Sequence, residues 1–162
     1  MAKWRFFIDV GGTFTDVIAC DPQGCWHSHK TLSSGLIKGT IDHVNRQRMT
    51  SSTRIGDPNG LWQGYSLSVL SSAGKVLEQA LVQDSDSATG QLILDRSLPV
   101  SLQGLAYELN GYEPAPVVSI RYLLGLSRSQ SIPPVILKLG TTRGTNALLE
   151  RKGARCGYVT TS

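Results

Sequence analysis

At 162 residues, 40% of them hydrophobic and 17% charged, the chain has the size and composition of one ordinary soluble domain, or of one domain carrying a smaller insert. A folded chain of this length buries about 70% of its unfolded surface, so a core is available without metal or disulfide staples. The formal net charge of +4 is spread along the sequence, with short clusters only at Arg46/Arg48 and at Arg151, Lys152 and Arg155; lacking a basic stripe with interleaved aromatic residues, it argues against a nucleic-acid partner and suits a small anion.

The predicted elements begin with three strands. Residues 4–10 are a nearly continuous apolar run that stops at Gly11-Gly12, and residues 14–20 follow. Residues 25–32 come after the turn Asp21-Pro22-Gln23-Gly24, whose proline and glycine suit a tight reversal. Joined by short turns, the three form an antiparallel meander. Residues 35–44 show neither a helical nor a strand period, and 54–64, with Gly56, Pro58, Asn59, Gly60 and Gly64, read as a loop. Residues 65–70, 76–82, 91–94 and 105–109 read as short strands among Ser, Asp and Gly clusters, giving a small β-rich insertion over residues 45–110. From Pro114 the pattern turns helical, with Val117, Ile120, Leu123 and Leu124 on a stripe that ends near Gly125. Residues 135–140 carry the signature of a buried strand. Residues 141–152 read as a helix with Thr142 as N-cap and Gly153 as its stop, and 156–161 as a last strand. The expected fold class is α/β (an α+β mixed sheet), its main lobe drawn from residues 1–44 and 111–162.

Cys20, Cys25 and Cys156 are an odd count, which argues against a disulfide framework and for a reducing, cytoplasmic setting. No membrane-spanning run is present, and Asp9 interrupts the first apolar stretch before a signal-peptide core is complete. Cys20, Cys25, His27 and His29 surround one turn, where a tetrahedral zinc site is conceivable. The spacing matches no standard finger and neighbouring strand residues splay apart, so the pattern reads as a hairpin with two free thiols and surface histidines. Ser72-Ala73-Gly74-Lys75 fits S-x-x-K but has no partner motif and is set aside.

The sharpest chemical signal is Asp9-Val10-Gly11-Gly12-Thr13-Phe14-Thr15-Asp16, at the turn between the first two strands. Adjacent glycines let backbone approach a ligand closely and admit positive φ. Successive amides in such a turn can cradle an anion, and the hydroxyls of Thr13 and Thr15 add donors. Asp9, ending a strand, stands where a carboxylate holds Mg²⁺ or its water shell beside phosphates. Asp16 can position a water, a metal or a substrate proton. The spacing is neither G-x-G-x-x-G nor the P-loop. It resembles the first phosphate loop of the actin-like ATPase superfamily.

A second string, Leu139-Gly140-Thr141-Thr142-Arg143-Gly144-Thr145-Asn146-Ala147-Leu148-Leu149-Glu150-Arg151-Lys152-Gly153, lies where a strand runs into a helix. Helix N-terminal amides favour anions and carbonyl oxygens; Arg143 can pair with a substrate carboxylate and Asn146 with an amide. Taken together, the two strings resemble the N-terminal region of the hydantoinase/5-oxoprolinase family, to which Lys30-Thr31-Leu32-Ser33 also conforms. The resemblance implies an RNase H-like, actin-like ATPase lobe, incomplete and carrying a β-rich insertion. It implies Mg²⁺ and ATP as cofactors, Asp9 as a metal-associated carboxylate, and Gly11, Gly12, Thr13 and Thr15 as the phosphate turn. Asp9 and Asp16 are then the catalytic candidates, and Thr141, Thr142, Arg143 and Asn146 the substrate-binding ones. The implied reaction is ATP-dependent opening of a cyclic amide such as 5-oxoproline or a hydantoin, by phosphorylation of its carbonyl oxygen. An ATP-dependent carboxylase subunit of the same family and a non-catalytic nucleotide-sensing module are the alternatives. The second phosphate loop and the adenosine pocket are expected beyond Ser162, in further lobes or a hydantoinase B-like subunit, so residues 1–162 alone are expected to lack turnover. An oligomer, and no membrane or nucleic-acid partner, completes the expectation.

Overall fold

The structure, a computed structural model, describes residues 3–151 together with 153, 155, 157 and 160. Strands β1 (Arg5–Val10), β2 (Phe14–Cys20) and β3 (Trp26–Leu32) form the antiparallel meander that their composition predicts. Side chains alternate along them with period two. Phe6, Ile8, Val10, Thr15, Val17 and Ala19 are buried on one face, while Arg5, Asp9, Phe14, Asp16 and Ile18 lie exposed on the other.

A second sheet follows, built from β4 (Ile37–Thr40), β5 (His43–Asn45), β6 (Arg48–Thr50), β7 (Ser66–Leu70), β8 (Val76–Asp86), β9 (Gln91–Leu94) and β10 (Ala106–Asn110). Its order is β4-β10-β7-β8-β9-β6-β5, with every neighbouring pair antiparallel. The long β8 serves both halves, pairing with β7 through its first residues and with β9 through its last. The two edge strands, β4 and β5, are consecutive in the chain. Between them, Ile41 N–H donates to the Leu105 carbonyl near β10 and Asp42 N–H to the Thr50 carbonyl on β6 (3.0 and 2.9 Å). The sheet therefore curls so that its two edge strands follow one another in the chain, with no ladder between β4 and β5 among the described residues. Inside lie Trp62, Tyr65, Tyr107, Leu67, Leu92 and Leu94.

Residues 35–44, which lack a clear period, hold β4, a strand of four residues that is half exposed. Its Gly39 faces the Tyr107 ring, and a Cβ there would sit 2.5 Å from the ring. Gly39→Ala is expected to unseat Tyr107 and cost about 1–3 kcal/mol, read as a lowered calorimetric Tm.

Helix α1 (Ala115–Leu124) starts after Pro114 and carries Pro116 in its first turn, where a missing N–H costs nothing. It stops at Gly125, whose φ of 65° is the left-handed conformation that glycine adopts freely. Ile120 on α1 packs over Phe6, Ile8, Val10, Val17 and Ala19. Strand β11 (Ile136–Thr141) then returns parallel to β1, giving the order β11-β1-β2-β3. Short helix α2 (Arg143–Leu149) ends the described elements. This mixed α/β arrangement is the one expected of an actin-like lobe.

Two local expectations change. Strand β11 is not buried: Leu137 and Leu139 are 47% and 51% exposed. Its apolar composition signals a strand, but it is an edge, hydrogen-bonded only to β1 among the described residues. The helix is shorter than 141–152, and Thr142 holds the N-cap position without a side-chain capping bond. Lys152, and residues 156, 158, 159 and 161 of the predicted last strand, lie outside the described residues.

Candidate functional site

The parallel pairing of β1 and β11 places Asp9 beside Gly140 and Val10 beside Thr141, so the two sequence motifs meet at the carboxyl ends of neighbouring strands. Ligands of open α/β sheets bind at such ends. Thr141 Oγ1 donates to the Val10 carbonyl (3.0 Å), as does Thr142 N–H (3.3 Å). Asn146, one turn into α2, carries its side-chain amide over Gly12: a Cβ on Gly12 would lie 3.3 Å from Asn146 Nδ2. Arg143 begins α2, and its side chain lies outside the described set.

The turn itself is held from the side. Gly11 N–H donates to the Phe14 carbonyl (3.0 Å), and Ser33 N–H to the Thr13 carbonyl (2.9 Å). Ser33 Oγ donates to the Gly11 carbonyl (2.8 Å), which uses its only proton, so Thr15 Oγ1 donates in turn to Ser33 Oγ (3.0 Å). Thr15 is fully buried and acts on the turn from within, whereas Thr13 is exposed. Ser33, whose side chain organises this turn, was not singled out as a site residue; its signal was a small polar residue just past the third strand.

Neither glycine takes a left-handed φ. The need is for space: a Cβ on Gly11 would stand 2.8 Å from the Phe14 carbonyl oxygen, which is backbone and cannot yield. Gly12 meets only the end of a side chain. Gly11→Ala is therefore expected to lower Tm clearly and Gly12→Ala to leave it nearly unchanged, in a paired thermal melt.

With the Gly11 amide engaged, the exposed amides of Gly12 and Thr13 make no hydrogen bond among the described residues. Asp9 has no hydrogen-bonding or ionic partner among them either. Directly across the strand pair stands Asp16, whose carboxylate is bonded to Lys30 Nζ at 2.8 Å. Like charges opposite one another destabilise a sheet, so a cation at Asp9 would relieve the pair. Two free amides, the Asn146 amide and an unpartnered carboxylate are a donor set suited to phosphate oxygens with an accompanying Mg²⁺. Beside the carboxylates lies a shallow apolar cavity of about 460 Å³, walled by Phe7, Ile18, Leu139 and Gly140.

The other candidates part company. Cys20 is buried, with Arg5 donating to its sulfur (3.1 Å), while Cys25 is exposed, and both are free thiols. His27 binds Asp21 (3.0 Å), a hydrogen bond that, with the Cys25 and Gln23 amides, holds the Asp21 carboxyl below its usual range. His29 stacks on Tyr122 instead. Among the described residues, no group of three or more His, Cys, Asp or Glu is placed to hold a metal. A Mg²⁺ bound by one carboxylate and phosphate oxygens needs no such cage.

Residues 5–68 match the family described as hydantoinase/oxoprolinase N-terminal region. The chain is also 38% identical over 66 residues to a 5-oxoprolinase of Saccharomyces cerevisiae, covering 35% of this chain and 5% of that protein. It is 36% identical over 72 residues to an uncharacterized protein of Schizosaccharomyces pombe, covering 39% of this chain and 6% of the relative. The matched stretch thus spans only a small part of the length of these relatives. No solved structure matches the chain. Among the described residues, no helix is long and apolar enough to cross a membrane.

Proposed function

We propose that this chain is the phosphate-binding lobe of an ATP-dependent hydrolase acting on a cyclic amide of the 5-oxoproline or hydantoin type. The observation that carries the proposal is the convergence at Gly12: unpaired turn amides from one motif, and the Asn146 amide from the other, around a glycine whose missing side chain leaves them reachable. The family match over residues 5–68 and the likeness to a 5-oxoprolinase support the substrate class.

In this reading the Gly12 and Thr13 amides and Asn146 receive phosphate oxygens, and Asp9 holds Mg²⁺ through its carboxylate or a water. ATP, when bound, supplies the phosphoryl group that turns an unreactive amide oxygen into a leaving group. Ser33 and Thr15 keep the turn in place, and Lys30 fixes the Asp16 carboxylate beside the reacting region, where it can orient a water. The apolar shelf of Phe7 and Ile18 suits the carbon face of a small ring. Further lobes, or a hydantoinase B-like subunit, complete the nucleotide cleft. The free thiols of Cys20 and Cys25 fit a reducing, cytoplasmic setting.

Calorimetric titration of the chain with Mg-ATP, Mg-ADP and AMP tests the turn: the polyphosphates are expected to bind and AMP not to. Phosphate release by the complete assembly, with and without 5-oxoproline, hydantoins or bicarbonate plus ketone, tests the chemistry. Glutamate formed in step with phosphate supports the lactam reading. Release with bicarbonate plus ketone alone reassigns the substrate, and binding without any release leaves a sensing module.

A further inference from the structure

A second cavity, of about 390 Å³, lies where edge strand β3 meets the curled sheet, away from the Gly12 and Asn146 groups. Its walls combine three features. The first is unmet hydrogen-bonding capacity: His29 Nε2, Thr31 Oγ1 and Arg54 Nε are buried polar atoms without a partner among the described residues, and all three residues line this one cavity. Leaving such atoms unpaired is costly, so native structures keep few of them. The second is charge. Lys30, Lys38 and Arg54 line the cavity with a single carboxylate, Asp57, and that carboxylate already accepts from Arg54, Trp62 Nε1 and Tyr122 OH (3.1, 2.9 and 3.0 Å). The lysines' own partners, Asp16 and Glu108, form exposed pairs that hold them weakly. The third is an apolar wall of Phe14, Leu32 and Leu36. Burial also keeps the His29 imidazole below its ordinary value, so it meets the cavity uncharged and brings a donor or an acceptor there.

We propose that this cavity is a second ligand site, for a small organic anion with a flat apolar ring. Its acid group answers Arg54, Thr31 and the lysines, and its ring lies on Phe14 and the two leucines. The occupant would touch Phe14, which belongs to the glycine turn, and Lys30, which holds Asp16, so the site borders the phosphate-binding residues without sharing their amides.

The test is an NMR titration of the full 162-residue chain with benzoate, reading the Trp62 indole N–H and the Tyr122 ring. Benzamide keeps the ring without the charge, and inorganic phosphate keeps a charge without the ring. Saturable shifts with benzoate are expected, with benzamide at least about 10-fold weaker, since hydrogen bonds to charged groups are the stronger class. Phosphate is expected to bind more weakly than benzoate. Thr31→Val removes a hydroxyl that has no partner to lose, so the fold is expected to stay intact while benzoate affinity falls about 2–10-fold. The proposal is overturned if benzoate gives no saturable shift at these residues, if benzamide or phosphate binds as well, or if Thr31→Val binds benzoate unchanged.

Discussion

Asp57→Ala is expected to be among the most damaging single substitutions in the chain. Asp57 is buried between the two sheets and accepts from three groups at once: the Arg54 guanidinium, the Trp62 indole and the Tyr122 hydroxyl. Burial, and then the Asp57 carboxylate itself, push the Tyr122 phenol above its ordinary value, so it remains a donor at neutral pH. Removing the carboxylate leaves a guanidinium whose side chain is 12% exposed without its counter-charge, and orphans two further donors. Breaking a buried pair in this way costs about 3–5 kcal/mol. For a chain of this length that is a fall in Tm of about 6–20 °C. Tyr122→Phe, which removes only one of the three bonds, is expected to cost about 1 kcal/mol. If Asp57→Ala melts within a degree of wild type, the cluster does not couple the sheets.

Asp9→Asn is expected to have the largest effect on ligand binding. The side chain is exposed and has no partner among the described residues, so the substitution should leave Tm unchanged or raise it slightly by relieving the facing Asp16. Binding tells the two roles apart. If Asp9 holds Mg²⁺ beside phosphate, the neutral amide loses an interaction with a charged group worth about 1.5–3 kcal/mol, or about 10–100-fold in affinity for Mg-ATP. Affinity for ATP in EDTA should change far less. Equal losses with and without Mg²⁺ would instead give Asp9 a role in shaping the turn.

Much of the core sheet was legible because alternation and turn chemistry agree there. Phe14–Cys20 follows an adjacent-glycine break, and the Asp21-Pro22-Gln23-Gly24 turn sets off Trp26–Leu32, so both boundaries are written locally. Strand β4 was not legible, since its burial depends on Tyr107, far along the chain, filling the space over Gly39. The exposure of β11 was hidden for a related reason: composition reports that a segment can be covered, and only the sheet order reports whether it is. At the candidate site, Asp9, Gly12 and Asn146 stand out by residue type, and the paired strand ends bring their two motifs together. Ser33 acts on Gly11 across a tertiary contact, and nothing in its immediate sequence distinguishes it from the neighbouring serine.

The pairing of β4 with β10 sets Ile37 opposite Leu109, so the chain enters and leaves the curled sheet at adjacent points. To the rest of the molecule, that whole sheet is then equivalent to a tight reversal between β3 and α1. Before it folds, the same stretch is a long floppy tether whose closure entropy opposes docking of α1; afterwards the tether is only as wide as one strand pair. The same geometry makes the sheet a cassette whose two ends lie side by side, while Ser33, which holds the glycine turn, stands just before its first strand.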